Sequence, residues 1–216
     1  GFSDDNAGVK TALIPAEYWI ANHAATDATY LASNDQCIDD NGNQICSVYD
    51  FTIGNPSTTT AQTLHASINA VANGFTDLFF RIYEVSNEDG ETLTEVVAPT
   101  RMPAEGQSLA LEGLTQILEP TVRATEGEIT TTAPLKYELV TKDVTINGQP
   151  AKQYNRRTYR MVIWIEETKT NQTESNAGKS FGGSIYFTTA SGDTGVTGVI
   201  ATAQQNSLPD NPTEPA

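Results

Sequence analysis

The sequence predicts an all-β domain, an antiparallel jelly roll or β-sandwich with one or two short helices in its loop insertions. Three observations predict it. Apolar and polar residues alternate at period two in run after run. Clusters of Gly, Asn, Asp and Pro separate those runs. Threonine is frequent, which suits exposed strand positions, and helical periodicity is nearly absent. Many short strands with turn signals between them assemble into sandwiches.

The strands justify themselves in chain order. Residues 48–53 place Tyr49, Phe51 and Ile53 on one face, and Gly54-Asn55-Pro56-Ser57 follows as a turn. Residues 64–69 direct Leu64, Ala66 and Ile68 inward and His65 outward. Residues 78–85 are apolar enough for a central strand, and Asn87-Glu88-Asp89-Gly90 is a turn. In residues 108–118, Ser108 offers an N-cap, Leu109, Leu111, Leu114, Ile117 and Leu118 follow, and Pro120 closes the run. That spacing predicts a short helix. Residues 135–140 and 144–146 are short strand candidates, and Asn147-Gly148 is a hairpin signal. Residues 157–166 alternate Tyr159, Met161, Ile163 and Ile165 against Thr158, Arg160, Val162 and Trp164; residues 181–189 hold Ile185 and Phe187. The organisation that results is an N-terminal extension (1–16), a domain (17–190) and a C-terminal strand and tail (191–216).

The two cysteines flank Ile38-Asp39-Asp40-Asn41-Gly42-Asn43-Gln44-Ile45. A two-residue Asn41-Gly42 turn pairs Ile38 with Ile45 and Cys37 with Cys46. The ladder then sets the two cysteines at a closely spaced position, compatible with a disulfide. A disulfide implies an oxidising, extracellular address. The chain begins at Gly1 with no basic-then-apolar leader, which reads as a mature product whose signal segment is gone, or as a shortened chain.

Composition narrows the function. The chain has 216 residues, 12 Lys+Arg against 27 Asp+Glu, and a net charge of −15. Such a surface repels phosphate backbones and anionic membranes, so neither nucleic acid nor membrane insertion is expected. No apolar run reaches the ~20 residues of a spanning helix.

Little in the chain speaks for catalysis. His23 and His65 have no partner at metal-ligand spacing, and a His-Glu-x-x-His helix is absent. Gly178-Lys179-Ser180 has Thr173 where a phosphate loop needs its first glycine, and it leads into a strand. Glu166 and Glu167 are adjacent, a poor geometry for an acid/base pair. The acidic turns 39–43 and 87–90 lack the spacing of a calcium loop and read as solvated turns. Asn171-Gln172-Thr173 is a glycosylation sequon, so Asn171 is a modification candidate. No catalytic residue, metal site or cofactor is assigned.

Two segments carry a family resemblance. One is Tyr49-Asp50-Phe51-Thr52-Ile53-Gly54-Asn55-Pro56-Ser57. The other is Tyr159-Arg160-Met161-Val162-Ile163-Trp164-Ile165-Glu166-Glu167-Thr168, followed by Asn171-Gln172 and Gly178-Lys179-Ser180-Phe181-Gly182-Gly183-Ser184-Ile185. Together they resemble the TasA/camelysin-like secreted proteins of bacteria, which have archaeal bundling-pilus relatives. The resemblance covers about a third of the chain. It implies a jelly-roll subunit that polymerises outside the cell by donor-strand complementation, its partners being copies of itself. An extended segment of one subunit supplies missing ladder bonds to its neighbour's sheet. The contact is head-to-tail and propagates into a filament. The resemblance points to the N-terminus as donor, with Val9, Ala12, Leu13 and Ile14 as its interface. Val196, Val199 and Ile200 form the competing C-terminal donor. Camelysin's metalloprotease description does not carry over, since the ligands are missing. The rivals are a monomeric β-sandwich binding or adhesion module using loops such as 87–107, a virion or phage jelly-roll protein, and a carboxylate hydrolase.

Overall fold

The computed structural model describes residues 2–4, 11–12, 31–32, 36–38, 44–121, 139–167, 179–189, 196–200 and 203–204. Sixteen strands run through these residues. The first eight are β1 (Phe2–Asp4), β2 (Thr11–Ala12), β3 (Leu31–Ala32), β4 (Gln36–Ile38), β5 (Gln44–Gly54), β6 (Gln62–Asn73), β7 (Leu78–Val85) and β8 (Leu93–Arg101). Then come β9 (Ser108–Ala110), β10 (Gln116–Leu118), β11 (Thr141–Ile146), β12 (Gln149–Tyr154), β13 (Arg156–Ile165), β14 (Phe181–Thr189), β15 (Val196–Ile200) and β16 (Ala203–Gln204). The predicted all-β class is what the chain adopts.

Two seven-stranded sheets form the sandwich. The first runs β3-β4-β5-β13-β7-β8, with β1 also on β5. The second runs β11-β12-β10-β6-β14-β15, with β9 also on β6. Nearly all pairs are antiparallel; β2 with β16 and the single β10–β12 bridge are parallel. The centre of the first sheet is β13, paired with β5 from Arg156↔Gly54 to Ile163↔Ser47 and with β7 from Thr158↔Val85 to Ile165↔Leu78.

Alternation explains the core. Tyr49, Phe51 and Ile53 of β5 face Leu64, Ala66 and Ile68 of β6 and Ile185 and Phe187 of β14 within one buried cluster. Phe51 ties the layers together, its ring 5.5 Å from Tyr159 and 6.0 Å from Phe187. His65 lies exposed between its buried neighbours, as the pattern requires. The central strands depart from simple alternation: residues 45–49 of β5 are all buried, and in β13 Val162 and Trp164 are each 1% exposed, although they point away from Tyr159, Met161 and Ile163. β13 is therefore buried on both faces, as a central strand can be.

Two expectations need correction. The segment 108–118 is not a helix. It forms β9, one 3-10 turn at Glu112–Leu114, and β10, and that turn is the only helical element among the described residues. Both short strands pair with β6, at Asn69↔Ser108 to Ser67↔Ala110 and at Leu64↔Gln116 to Gln62↔Leu118. The leucines that mimic a helical stripe are buried from the turn instead: Leu111, Leu114 and Leu118 are 1–3% exposed, while Ile117 is 42% exposed. Gly113 permits this, because a Cβ there would lie 1.8 Å from the Val96 carbonyl oxygen. The cysteine hairpin also differs in register. Cys37 does face Cys46, but Ile38 faces Gln44, with an irregularity between Cys37 and Ile38. A bulge of this kind sets two successive residues on one side, which suits Ile45 and Cys46, both buried. By contrast, the Asn147-Gly148 hairpin forms as predicted: Ile146 pairs with Gln149, and both turn residues have positive φ (52° and 78°).

Candidate functional site

The places where this sandwich can accept or donate a strand are its edges, and they are built unequally. β8 carries Pro99 and charged Glu95 and Arg101, and its ladder with β7 is interrupted twice. β11 carries Lys142 and Asp143. Such features discourage edge pairing. The outer edge of β5 is different. β4 covers it opposite Gln44, Cys46 and Ser47, and β1 covers it opposite Phe51, Thr52 and Ile53. β2 also lies against β5.

β1 is three residues long, with Phe2↔Ile53, Ser3↔Thr52 and Asp4↔Phe51. It adjoins β15, the edge of the second sheet. β15 pairs with β14 from Phe187↔Val196 to Gly183↔Ile200, which places Val196, Val199 and Ile200 on an edge strand of the chain's own second sheet. Ala12 lies in β2, in register with Gln204. Val9, Leu13, Ile14 and Asn171 lie outside the described residues, as do His23 and the turn 39–43.

The end of β5 is anchored by a buried polar cluster that the sequence does not reveal. Asn55 is 3% exposed. Its Nδ2 donates to the carbonyls of Thr60 (2.8 Å), Leu118 (3.1 Å) and Glu119 (3.1 Å), and its Oδ1 accepts from Ser57 N (2.9 Å). Its backbone N donates to Asn155 O (2.8 Å), and Thr121 Oγ1 donates to its carbonyl. Asn155 Nδ2 in turn donates to Thr121 Oγ1 (3.3 Å), and its Oδ1 accepts from Val140 N (2.9 Å). Glu119, buried, takes Lys142 Nζ at 3.4 Å. These groups join the β5–β6 turn, the segment after β10 and the β12–β13 junction. Buried polar groups of this sort are satisfied together or not at all. Asn55 was visible as a turn residue; Thr121 and Asn155 belong to distant segments and carried no signal.

On the outer face of the first sheet, Arg160 grips Asp50 through two bonds of 2.8 and 2.7 Å, directly across the β13–β5 ladder. Arg157 pairs with Glu84 and Arg81 with Glu95. Asp89 accepts from Glu91 N, Thr92 N and Thr92 Oγ1, which hold its carboxyl well below the usual carboxylate range. Its turn is thus closed upon itself. Burial pushes the Tyr159 hydroxyl far above its ordinary value, and Gln116 Nε2 donates to it. No group of three or more His, Cys, Asp or Glu side chains suited to a metal ion occurs among the described residues.

No family model matches the sequence, and no curated protein matches it. Among solved structures, a family 123 glycoside hydrolase from Clostridium perfringens that acts on glycolipid glycans is similar at 11% identity and a TM-score of 0.36. The similarity covers 96% of this chain but 27% of the hydrolase chain, so this chain spans about a quarter of that protein's length. The CooA pilin subunit from enterotoxigenic Escherichia coli is similar at 9% identity and a TM-score of 0.29, covering 78% of this chain and 86% of the pilin. At these scores neither similarity carries an argument about what this chain does.

Proposed function

We propose that this chain is the structural subunit of an extracellular filament of the TasA/camelysin kind, polymerising head to tail by donor-strand complementation. The observation that carries the reading is the short N-terminal cover on the edge of β5. An eleven-residue strand is closed at one end by a three-residue segment of the chain's own N-terminus. Three residues make few ladder bonds, so a longer strand from a neighbour gains more by lying there. Register and chemistry separate the two covering segments. Cys37 faces Cys46, and no cysteine is free. A Cys37–Cys46 disulfide would fasten β4 to β5 covalently, while β1 is held by hydrogen bonds and packing alone. One cover is fixed and the other is exchangeable. The same disulfide favours an oxidising, extracellular setting. The donor in this reading is the N-terminal extension, with residues 196–200 as the rival donor.

Electron microscopy of the full chain beside a chain starting at Glu17 tests it. Filaments from the full chain and none from the shortened one are the expected result. Filaments from both would move the donor role to the C-terminal strand. If neither polymerises at high concentration, the filament reading fails and a monomeric binding module replaces it.

A further inference from the structure

Between the β7–β8 hairpin of the first sheet and the β11–β12 hairpin of the second lies an open, two-lobed cleft. One lobe, about 490 Å³, is walled by Asn87, Glu88, Thr94, Asp143 and Tyr154. The other, about 570 Å³, is walled by Val96, Gln116, Ile117, Ile146 and Gln153. Glu84, Lys152 and Arg157 border both, so the lobes are continuous.

Three large hydrophobic side chains are exposed among the described residues: Val71, Ile117 and Ile146. Two of them, Ile117 at 42% and Ile146 at 51%, share the second lobe with half-buried Val96. Exposed aliphatic groups gathered in one concavity mark a contact site more readily than scattered ones. Around this strip the walls mix apolar Val144, Pro150 and Ala151 with hydrogen-bonding side chains of both senses.

The basic side chains of the cleft are already paired, and Asp143 adds a further carboxylate. Arg157 donates to the Glu84 carboxylate, and its guanidinium stands 5.2 Å above the Tyr154 ring. Lys152 Nζ lies 3.2 Å from Glu88 Oε1. An anionic ligand would have to break such a pair and approach a chain of net charge −15. Paired, these groups instead form a rim of donors and acceptors. A neutral pyranose chain matches that pattern: its hydroxyls suit the rim, and its C–H faces suit Ile117 and Ile146. Two joined lobes ask for more than one ring.

We infer that this cleft binds a neutral oligosaccharide of several sugar units. The inference stands apart from the filament reading, since it concerns another surface and is read in monomer and polymer alike.

Saturation-transfer NMR of the full chain with maltohexaose, cellohexaose, laminarihexaose and chitohexaose, and with dextran sulfate as the anionic comparison, tests it. At least one neutral hexasaccharide should show saturable transfer. Ile146→Asp and Gln153→Ala should each raise its Kd about tenfold, the equivalent of losing one good contact. Val71→Asp, a like change on a remote surface, should leave it unchanged. Absence of saturable transfer from every neutral sugar at about 5 mM would overturn the inference. So would preference for dextran sulfate, an unaltered Kd in both cleft variants, or cleft variants that change only self-association.

Discussion

Asn55→Ala is the perturbation with the clearest arithmetic. The side chain is 3% exposed and makes four hydrogen bonds. The two amide hydrogens serve three carbonyls, so one hydrogen is shared, and the amide oxygen accepts a third hydrogen from Ser57. Three hydrogen bonds at about 1 kcal/mol each give a loss of about 3 kcal/mol. A water admitted to the vacated space would lower that figure, and bonds to the buried Leu118 and Glu119 carbonyls would raise it. In a domain of this size, about 3 kcal/mol lowers Tm by roughly 6–12 °C. Urea unfolding followed by tryptophan fluorescence should show a lower midpoint with an unchanged slope. Asn55→Asp is the diagnostic partner. At neutral pH it turns a carboxylate toward three carbonyl oxygens, so it should destabilise more than alanine does. Its folded pKa is then raised above its unfolded one. Stability should therefore recover as pH falls through that raised value, where the acid again has a hydrogen to donate. An Asn55→Ala protein within about 1 kcal/mol of the parent would refute the claim that this cluster anchors β5.

Three further outcomes follow from other features. Cysteines placed at the facing pair Ser3 and Thr52 should, when oxidised, pin β1 to β5 and abolish filaments seen by electron microscopy, with reductant restoring them; polymerisation despite the cross-link would mean that β1 need not leave. Gly113→Ala drives a methyl into the Val96 carbonyl at 1.8 Å, so calorimetry should record a loss of about 3 kcal/mol or more, with β8 displaced. Because burial raises the Tyr159 pKa above its ordinary 10.0, the unfolded state loses that proton first as pH rises. Stability should hold below about pH 10 and fall above it, and Tyr159→Phe should flatten that part of the profile in urea titrations from pH 9 to 11.

The central strands were legible because their alternation is local. Residues 78–85 and 181–189 coincide with β7 and β14, and the inward residues of β5, β6 and β13 are those the alternation names. β8 escaped notice because it is half exposed and carries Pro99 and charges, which is how an edge strand differs from a core one. The false helix arose from a strand–turn–strand that supplies leucines at helical spacing while pairing with β6 throughout. β1 had no pattern to read: three residues are too few for a period, and their place is set by β5. The polar cluster was hidden for a different reason, since Asn55, Thr121 and Asn155 are neighbours only after the sheets have closed.

The ladder between β5 and β13 has a consequence in time. Arg160 and Asp50, which grip each other across it, are 110 residues apart in sequence. Until residues 156–165 are available, β5 has neither its main partner nor the strand that separates it from β7. A chain of which the first 150 residues have been released therefore lacks the middle of its first sheet. Closure over such distances is slow compared with hairpin formation. The Asn147-Gly148 hairpin is local and can form early; the sandwich must wait for the strand that follows it. The first sheet is therefore completed only once about three-quarters of the chain is available.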